Sequence, residues 1–295
     1  MKKLFKIAVN FMAVAIMTVA AFGLSACEDI KKLELSLSLY DYGSNEFYAE
    51  DDVKFSVDLY RHLAPKTVDK VLEHVKAGYY DNVFFYQDSE YSSQIMVGDL
   101  KLDENGKIVQ NLIDGKLPSE IYGEFKSNGT TGSNLVSSKG SIGIWRSFYE
   151  ADGNYKVSSS ARDSGRATWY IPTAEISGYN GYFCVFAQYD ASATANAKAL
   201  SVINSIISSN STEYVIYFTG EYDKTKPDEN YGLTFHALTK EKFNQDYDAT
   251  EETIYGEKLF EADGAQLVCF NKKTIKVPDL VGVTSSARIS KITAK

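Results

Sequence analysis

The amino-acid sequence predicts a mainly β fold, a barrel or sandwich of short strands with helices packed against it. Three observations support this prediction. Many short runs alternate apolar and polar residues, only two segments have strong helical periodicity, and the chain contains 21 tyrosines and 16 phenylalanines. Alternation with period two is typical of half-buried strands, and aromatic residues are enriched in strands. Two helices among many short strands indicate a barrel or sandwich capped by helices.

The first predicted elements are two strands and a helix. Residues Leu33 to Leu39 and Val53 to Leu59 place apolar side chains at every second position, and the acidic stretch between them predicts a hairpin connection. Pro65 then lies in the first turn of a helix, where proline is well tolerated, and Gly78 ends it. The apolar residues of this helix recur on one face, as in an amphipathic helix: Val68, Val71, Leu72 and Val75.

The rest of the chain alternates short strands with turns. Asn105-Gly106 predicts a tight turn between two strands, Ala191–Ile207 predicts a second helix, and Thr239–Asp248 predicts a further helical stretch. The remaining predicted strands are Val83–Tyr86, Gln94–Val97, Ser141–Trp145, Ala167–Ile171, Tyr182–Ala187, Glu213–Thr219, Ala265–Phe270 and Ala287–Thr293.

The N-terminus has the features of a secretory leader. Three lysines precede a nearly all-apolar run at residues 7–22, and small residues then lead into Cys27. The Leu24–Cys27 ending resembles the lipobox of bacterial lipoproteins, in which the cysteine is lipidated and becomes the new N-terminus. The alternative is an uncleaved transmembrane anchor, but the apolar run is shorter than the ~20 residues that a spanning helix needs. The sequence therefore predicts a removed signal peptide at 1–26, a lipid-linked tether at 27–32 and an extracytoplasmic location on the membrane.

Charge and metal-ligand spacing exclude several classes of function. Removal of the three leader lysines changes the net charge from −8 to −11, and no basic stripe is present, so the sequence predicts no nucleic-acid partner. The three histidines have no cysteine or histidine at ligand spacing, so it predicts no metal and no other cofactor. Besides Cys27, only Cys184 and Cys269 remain. They are compatible either with a disulfide in an extracytoplasmic space or with two buried thiols.

Five segments, in the same order and at the same separations, resemble cyclophilin-type peptidyl-prolyl isomerases. The segments are Val53–Asn82 with its Ala64–Val68 helix start, Ile121–Gly129, Gly140–Arg146, Asp163–Ile171 and Asn180–Ala187. The resemblance extends over about residues 50 to 207. It implies a closed antiparallel eight-stranded β-barrel capped by two α-helices, with Ala287–Thr293 as the last strand. Residues 33–207 would form the cyclophilin-like domain, 208–275 an α+β insertion of unknown role, and 276–295 the C-terminal strand that completes the barrel.

The resemblance also implies a site for Xaa-Pro segments. Rotation about such a bond has a barrier of ~18–20 kcal/mol; in the family an apolar pocket holds the proline ring and an arginine polarises the prolyl amide. Gln87 replaces that arginine and is the candidate catalytic residue, and Met96 replaces the glutamine that orients it. Loss of one preorganised charged donor costs about 2.7–4 kcal/mol of transition-state stabilisation. The candidate substrate-binding residues are Tyr86, Met96, Trp145, Thr168, Tyr170 and Phe183.

Two functions follow from the resemblance. The first is a membrane-anchored prolyl isomerase of weakened activity that assists the folding of exported proteins and binds their Xaa-Pro segments. The alternative is an inactive member that binds peptide or protein partners without turnover, which the replacement of the arginine favours. A lipoprotein that binds a small solute is a third class, supported only by the predicted anchor.

Overall fold

The structure is a computed structural model that describes residues 32–48, 53–130, 135–146, 149–151, 154–156, 163–221, 234–246, 253–254, 257–262 and 265–295. The predicted signal peptide, the lipidation site Cys27 and the tether before Lys32 lie outside the described residues. No helix in the described ranges is long and apolar enough to cross a membrane.

The described residues form a mainly β protein with three α-helices, which confirms the predicted class. The helices are α1 (Pro65–Lys76), α2 (Thr194–Ser209) and α3 (Lys240–Asp246). The strands of the first half are β1 (Lys32–Asp41), β2 (Glu46–Phe47), β3 (Lys54–Leu59), β4 (Gln87–Asp88), β5 (Gln94–Val97), β6 (Leu100–Leu102), β7 (Ile108–Gln110), β8 (Ser141–Ile144), β9 (Tyr149–Ala151) and β10 (Asn154–Lys156). Those of the second half are β11 (Trp169–Pro172), β12 (Cys184–Gln188), β13 (Ser211–Glu221), β14 (Thr234–Thr239), β15 (Thr253–Ile254), β16 (Glu257–Ala262), β17 (Ala265–Pro278), β18 (Leu280–Val281), β19 (Thr284–Ser285) and β20 (Ala287–Ala294).

The first sheet is antiparallel and has the order β20-β1-β3-β12-β8-β11-β5, with β2 paired to β1. Its end strands β5 and β20 do not pair, so the sheet is an open half-barrel and the prediction of a closed barrel is wrong. Residues 83–86 lie between the two ends, where Phe84 bridges Arg288 and Tyr86 bridges Met96. Because this segment changes partners within two residues, it builds a continuous ladder with neither end strand. The strand predicted at Val83–Tyr86 is therefore present only as isolated bridges.

The main core lies between this sheet and the helices α1 and α2. Val68 and Val71 of α1 and Ile203 of α2 are buried in one apolar cluster with residues of the sheet; α1 contacts β12 and β20, and α2 contacts β3. The N-cap residue of α1, Ala64, provides no side-chain cap. Instead, the buried carboxylate of Glu124 accepts hydrogen bonds from the Lys66 and Thr67 amides at 3.1 and 2.7 Å. A loop distant in sequence thus supplies the acceptor that the first turn of the helix needs.

A second antiparallel sheet contains most of the predicted insertion. Its order is β14-β13-β17-β16-β15, and β4 of the first part of the chain pairs with β17. Strand β17 spans 14 residues and is much longer than the predicted Ala265–Phe270. Helix α3 covers one face, where Phe243 packs with Val215 and Tyr217. The second sheet is therefore joined by backbone hydrogen bonds to the segment that carries Gln87.

Cys184 is a free thiol in the structure. It is buried, its Sγ lies 3.3 Å from Thr67 Oγ1, and burial raises the pKa of this thiol to about 12. Cys269 lies on β17, opposite Thr219 of β13. Of the two alternatives for this pair of cysteines, an unbridged Cys184 is the one observed.

Candidate active site

The folded chain brings predicted site residues on β5 and β11, and beside the ends of β4, β8 and β12, into one cluster. Tyr86 bridges Met96 of β5, and Met96 pairs with Tyr170 of β11. Trp145, at the end of β8, lies 6.4 Å from the Tyr170 ring and 5.5 Å from the Phe183 ring, measured between centroids. These contacts place the residues around one position on the first sheet.

Thr168 borders this cluster through its backbone. Its carbonyl accepts a hydrogen bond from the Trp145 amide at 2.8 Å, and its side chain is almost completely buried. Its position, directly before β11, is fixed by the sheet. The predicted lipidation site, Cys27, lies outside the described residues.

Aromatic and apolar side chains fill the position where the family pocket was expected. Tyr86, Met96, Tyr170 and Phe183 each have an exposed fraction of 2% or less. Tyr179, which the sequence did not identify, stacks on Phe183 with a centroid distance of 4.2 Å and lies 5.5 Å from Tyr170. The rings therefore pack against one another as a core.

Tyr170 is fixed at the centre of this packing. Its hydroxyl forms a 2.8 Å hydrogen bond with Ser137 Oγ, and burial holds the pKa of the phenol above its ordinary value. Its ring covers Gly143 of β8, where an added Cβ would lie 2.3 Å from the ring carbons. Glycine is therefore required at 143, and the glycine between two isoleucines is the sequence signal that could have revealed the close approach.

Tyr86 is also engaged within the protein. Its hydroxyl donates to the Asp99 carboxylate, with distances of 3.0 and 3.1 Å to the two oxygens. The ammonium of Lys273, from β17, lies 5.4 Å from the Tyr86 ring centroid, within range of a cation–π contact. Burial raises the pKa of Tyr86 well above its ordinary value, so the phenol remains protonated.

The side-chain amide of Gln87 binds the protein itself. Nε2 of Gln87 donates a 2.7 Å hydrogen bond to the Ser92 carbonyl. The backbone of Gln87 pairs with Lys276 of β17, and the next residue, Asp88, pairs with Ile275. The donor that could have replaced the arginine is thus turned toward a neighbouring loop, and its strand is fixed from the other side by the second sheet.

The second sheet also contributes side chains to the cluster. Ile216 of β13 and Ile275 and Val277 of β17 are buried in the same apolar cluster as Tyr86, Met96 and Tyr170. Full burial of one such side chain is worth about 1.5–3 kcal/mol. Packing of the second sheet therefore stabilises the filled arrangement of the rings.

One buried polar side chain in this region forms only part of its possible hydrogen bonds. Gln94 is fully buried on β5, and its Nε2 lies 3.4 Å from the sulfur of Met96. Within the part of the chain that the structure describes, its Oε1 has no hydrogen-bond partner. A buried carbonyl group without a hydrogen-bond partner lowers the free energy of unfolding by about 1–3 kcal/mol.

Arg146 lies beside the cluster, but its charge is used in packing. Its guanidinium is 4.2 Å from the centroid of the Phe125 ring and donates a 2.8 Å hydrogen bond to the Tyr182 carbonyl. Within the described ranges, no group of three or more histidine, cysteine or acidic side chains could hold a metal ion.

Comparison with known proteins identifies the family. The sequence model of the cyclophilin type peptidyl-prolyl cis-trans isomerase/CLD family matches residues 46–214, more than half of the chain. This chain belongs to the cyclophilin-type peptidyl-prolyl cis-trans isomerase family. None of the curated proteins compared with it matches.

Two solved structures of one cyclophilin type peptidyl-prolyl cis-trans isomerase from Cryptosporidium parvum are similar to the chain. The structure obtained in the presence of the dipeptide Ala-Pro is 13% identical, with a TM-score of 0.38, and the match covers 60% of this chain and 86% of that one. The other is 11% identical, with a TM-score of 0.39, and the match covers 70% and 97%.

Proposed function

We propose that this chain is a lipid-anchored, extracytoplasmic member of the cyclophilin-type family that binds segments of exported proteins without catalysing prolyl isomerisation. The observation that supports loss of catalysis is the packing of the site. Tyr170, Phe183 and Met96, at the positions that the resemblance assigns to the site, are buried in one apolar cluster.

Energetics supports the same conclusion. A bound proline would have to displace packed rings, which means opening part of a core. In addition, Gln87 replaces the cationic donor with a neutral amide that already bonds Ser92. Neutral hydrogen bonds are about half as strong as charge-assisted ones. Loss of the charged donor alone lowers the rate about a hundred- to a thousand-fold.

The location is proposed from the leader. A basic n-region, an apolar run and the Leu24–Cys27 ending support cleavage before Cys27 and lipidation of that residue. Two or more acyl chains on one cysteine would hold the protein on the membrane. Cys27→Ser should release the mature protein from the membrane fraction or leave it uncleaved. A correctly processed Cys27→Ser protein that stays in the membrane fraction would refute the anchor.

Residual isomerisation at Gln87 is the second candidate, and the family match across this region favours it. Exchange NMR of an Ala-Pro tetrapeptide tests both, with the mature protein and a Gln87→Ala variant. We expect no acceleration of cis–trans exchange by either protein. Acceleration by the native protein that falls on Gln87→Ala would assign Gln87 the role of the family arginine and overturn the proposal.

Binding is tested separately from catalysis. A reduced, carboxymethylated secretory protein remains unfolded and serves as the probe, and its association with the mature chain is followed by light scattering and sedimentation. We expect a complex and suppressed aggregation of the probe. Equal aggregation with and without the mature chain would contradict a role in binding exported polypeptides.

A further inference from the structure

A groove of about 550 Å³ lies where the second sheet meets the β6–β7 hairpin. Five consecutive residues, 235–239 of β14, line one wall, and residues 106–109 line the other. Because successive side chains of a strand point to opposite faces, a cavity lined by five consecutive residues must run along the edge of that strand. The groove therefore follows the outer edge of β14.

The outer edge of β14 has no ladder partner in the part of the chain that the structure describes. Strand β14 pairs with β13: Thr239 lies opposite Tyr214 at one end, and Thr234 lies opposite Thr219 at the other. Within the described residues, β13 is the only ladder partner of β14. In a strand with one partner, every second residue directs its N–H and C=O away from that partner. The outward groups of β14 thus face the groove, where an extended chain could pair with them.

The edge is held in place by its neighbours. The His236 ring stacks on Tyr217 with a centroid distance of 4.9 Å, and His236 Nε2 lies 2.7 Å from Thr219 Oγ1. Phe243 of α3 packs against the Tyr217 ring at 5.2 Å. A fixed edge needs little ordering on binding, which favours affinity.

The groove combines apolar walls with positive charge. Phe235, Leu238 and Ile108 provide apolar surface, and Lys107 and Lys242 are exposed lysines in its lining. No carboxylate is among the described lining residues, although the whole chain has a net charge of −8. The nearby Asp103 side chain accepts hydrogen bonds from the amides of Asn105 and Lys107, within its own turn.

We propose that this groove binds an extended, acidic polypeptide segment, which adds to β14 as a strand. This inference rests on the proposed role in binding exported polypeptides and gives that role a location. Main-chain hydrogen bonds to β14 would supply affinity, alternate apolar side chains would contact Phe235 and Ala237, which share one face of β14, and carboxylates would face Lys107. Five strand residues at about 3.4 Å each give a contact length of about 17 Å.

The test uses a fluorescein-labelled heptapeptide, Glu-Val-Thr-Val-Thr-Val-Glu, and fluorescence anisotropy with the mature chain. Lys107→Glu should weaken its binding about tenfold or more, since like charges across an interface are strongly unfavourable. The matched control, Lys139→Glu, reverses another exposed lysine outside the groove and should bind as the native protein does. A peptide that is N-methylated at alternate amides, on the edge that would pair with β14, should also bind about tenfold more weakly because its ladder is broken.

The outcomes separate the groove from the proposed function. The proposal that the peptide binds in the groove is overturned if Lys107→Glu and the native protein bind the peptide equally well. It is also overturned if the N-methylated and unmodified peptides bind equally well. If the heptapeptide does not bind but the unfolded secretory protein does, the groove is wrong and the proposed function stands. If neither binds, both are wrong. Because Lys107 is exposed, unchanged circular dichroism of Lys107→Glu would confirm that the comparison concerns folded proteins.

Discussion

The two apolar clusters of the molecule differ in what they retain of the family pattern. The core under α1 and α2 contains the strands and helix expected from the sequence, and the Glu124 carboxylate reaches the start of α1. The cluster around Tyr170 lies where the family site was expected, but it consists of packed rings and side chains from the second sheet. The comparison teaches that side chains of suitable volume and polarity are enough to maintain a fold. A catalytic site also needs space for the substrate and a charged group that points toward it.

Truncation at the centre of the second cluster should have the largest effect on stability. We expect Tyr170→Ala to lower the free energy of unfolding by about 3–5 kcal/mol, as for other buried aromatic residues. The measurement is urea unfolding followed by circular dichroism. Tyr122→Ala, which truncates a tyrosine that is 42% exposed, is the control and should change it by less than about 1 kcal/mol. Equal, small losses for both variants would mean that Tyr170 lines an open pocket.

Crowding at Gly143 should be the next largest effect. An added Cβ would lie 2.3 Å from the Tyr170 ring, so we expect Gly143→Ala to destabilise the protein by about 1–3 kcal/mol. Thermal unfolding provides the measurement. The double variant with Tyr170→Ala should lose less stability than the sum of the two single variants, because the clash is then absent. Strict additivity would contradict the close contact.

The first cluster can be tested at Glu124. Glu124→Ala leaves the Lys66 and Thr67 amides of α1 without their acceptor. Loss of a helix cap costs about 0.5–2 kcal/mol, so a decrease in this range is expected in the same unfolding assay. Glu73→Ala, which removes an exposed acid near the other end of α1, should have a smaller effect. A larger loss at Glu73 than at Glu124 would contradict the capping role.

The smallest effect concerns pH and Asp88, which lies between the two sheets. Burial raises the pKa of Asp88, opposed by the Glu90 amide and Lys273 and reinforced by Asp99. A raised pKa means that the folded state favours the protonated acid. The stabilising contribution is thus fully present below the unfolded pKa of about 3.9 and is lost as pH rises through the higher folded value.

Replacement of Asp88 should remove this pH dependence. We expect the melting temperature of Asp88→Asn minus that of the native protein to increase as pH increases from 4 to 7. Differential scanning calorimetry measures both melting temperatures. Asp81→Asn is the surface control, since Asp81 is exposed and next to α1. A difference between Asp88→Asn and the native protein that is the same at both pH values would show that Asp88 does not titrate in a buried environment.

Local patterns in the sequence were sufficient for much of the fold. The strand Gln94–Val97 has the predicted bounds, and the Asn105-Gly106 turn joins β6 to β7 with Gly106 at φ 75°. Helix α2 starts three residues later than predicted, at Thr194. Periodicity and turn residues depend on neighbours in the chain, so a single sequence reports them well.

The remaining features of the fold and the site could not be predicted, because they depend on pairing between residues that are far apart in the sequence. Strand β17 continues to Pro278, but Lys272, Lys273 and Lys276 interrupt the apolar pattern, and its pairing with β4 leaves no local signal. The filled site depends on Tyr179 and on the packing of the second sheet, neither of which follows from motif positions. Replacement of the arginine by Gln87 could be read from the sequence, whereas the hydrogen bond of Gln87 to Ser92 could not.

The central claim, that packing has replaced the prolyl site, is tested most directly by returning the missing charge alone. The measurement is the cis–trans exchange rate of an Ala-Pro peptide with Gln87→Arg and with the native protein. We predict that the two rates are equal to the uncatalysed rate, because the rings of Tyr170 and Phe183 still fill the position of the proline. An exchange rate that Gln87→Arg raises a hundred-fold or more, with the fold unchanged, would contradict the account.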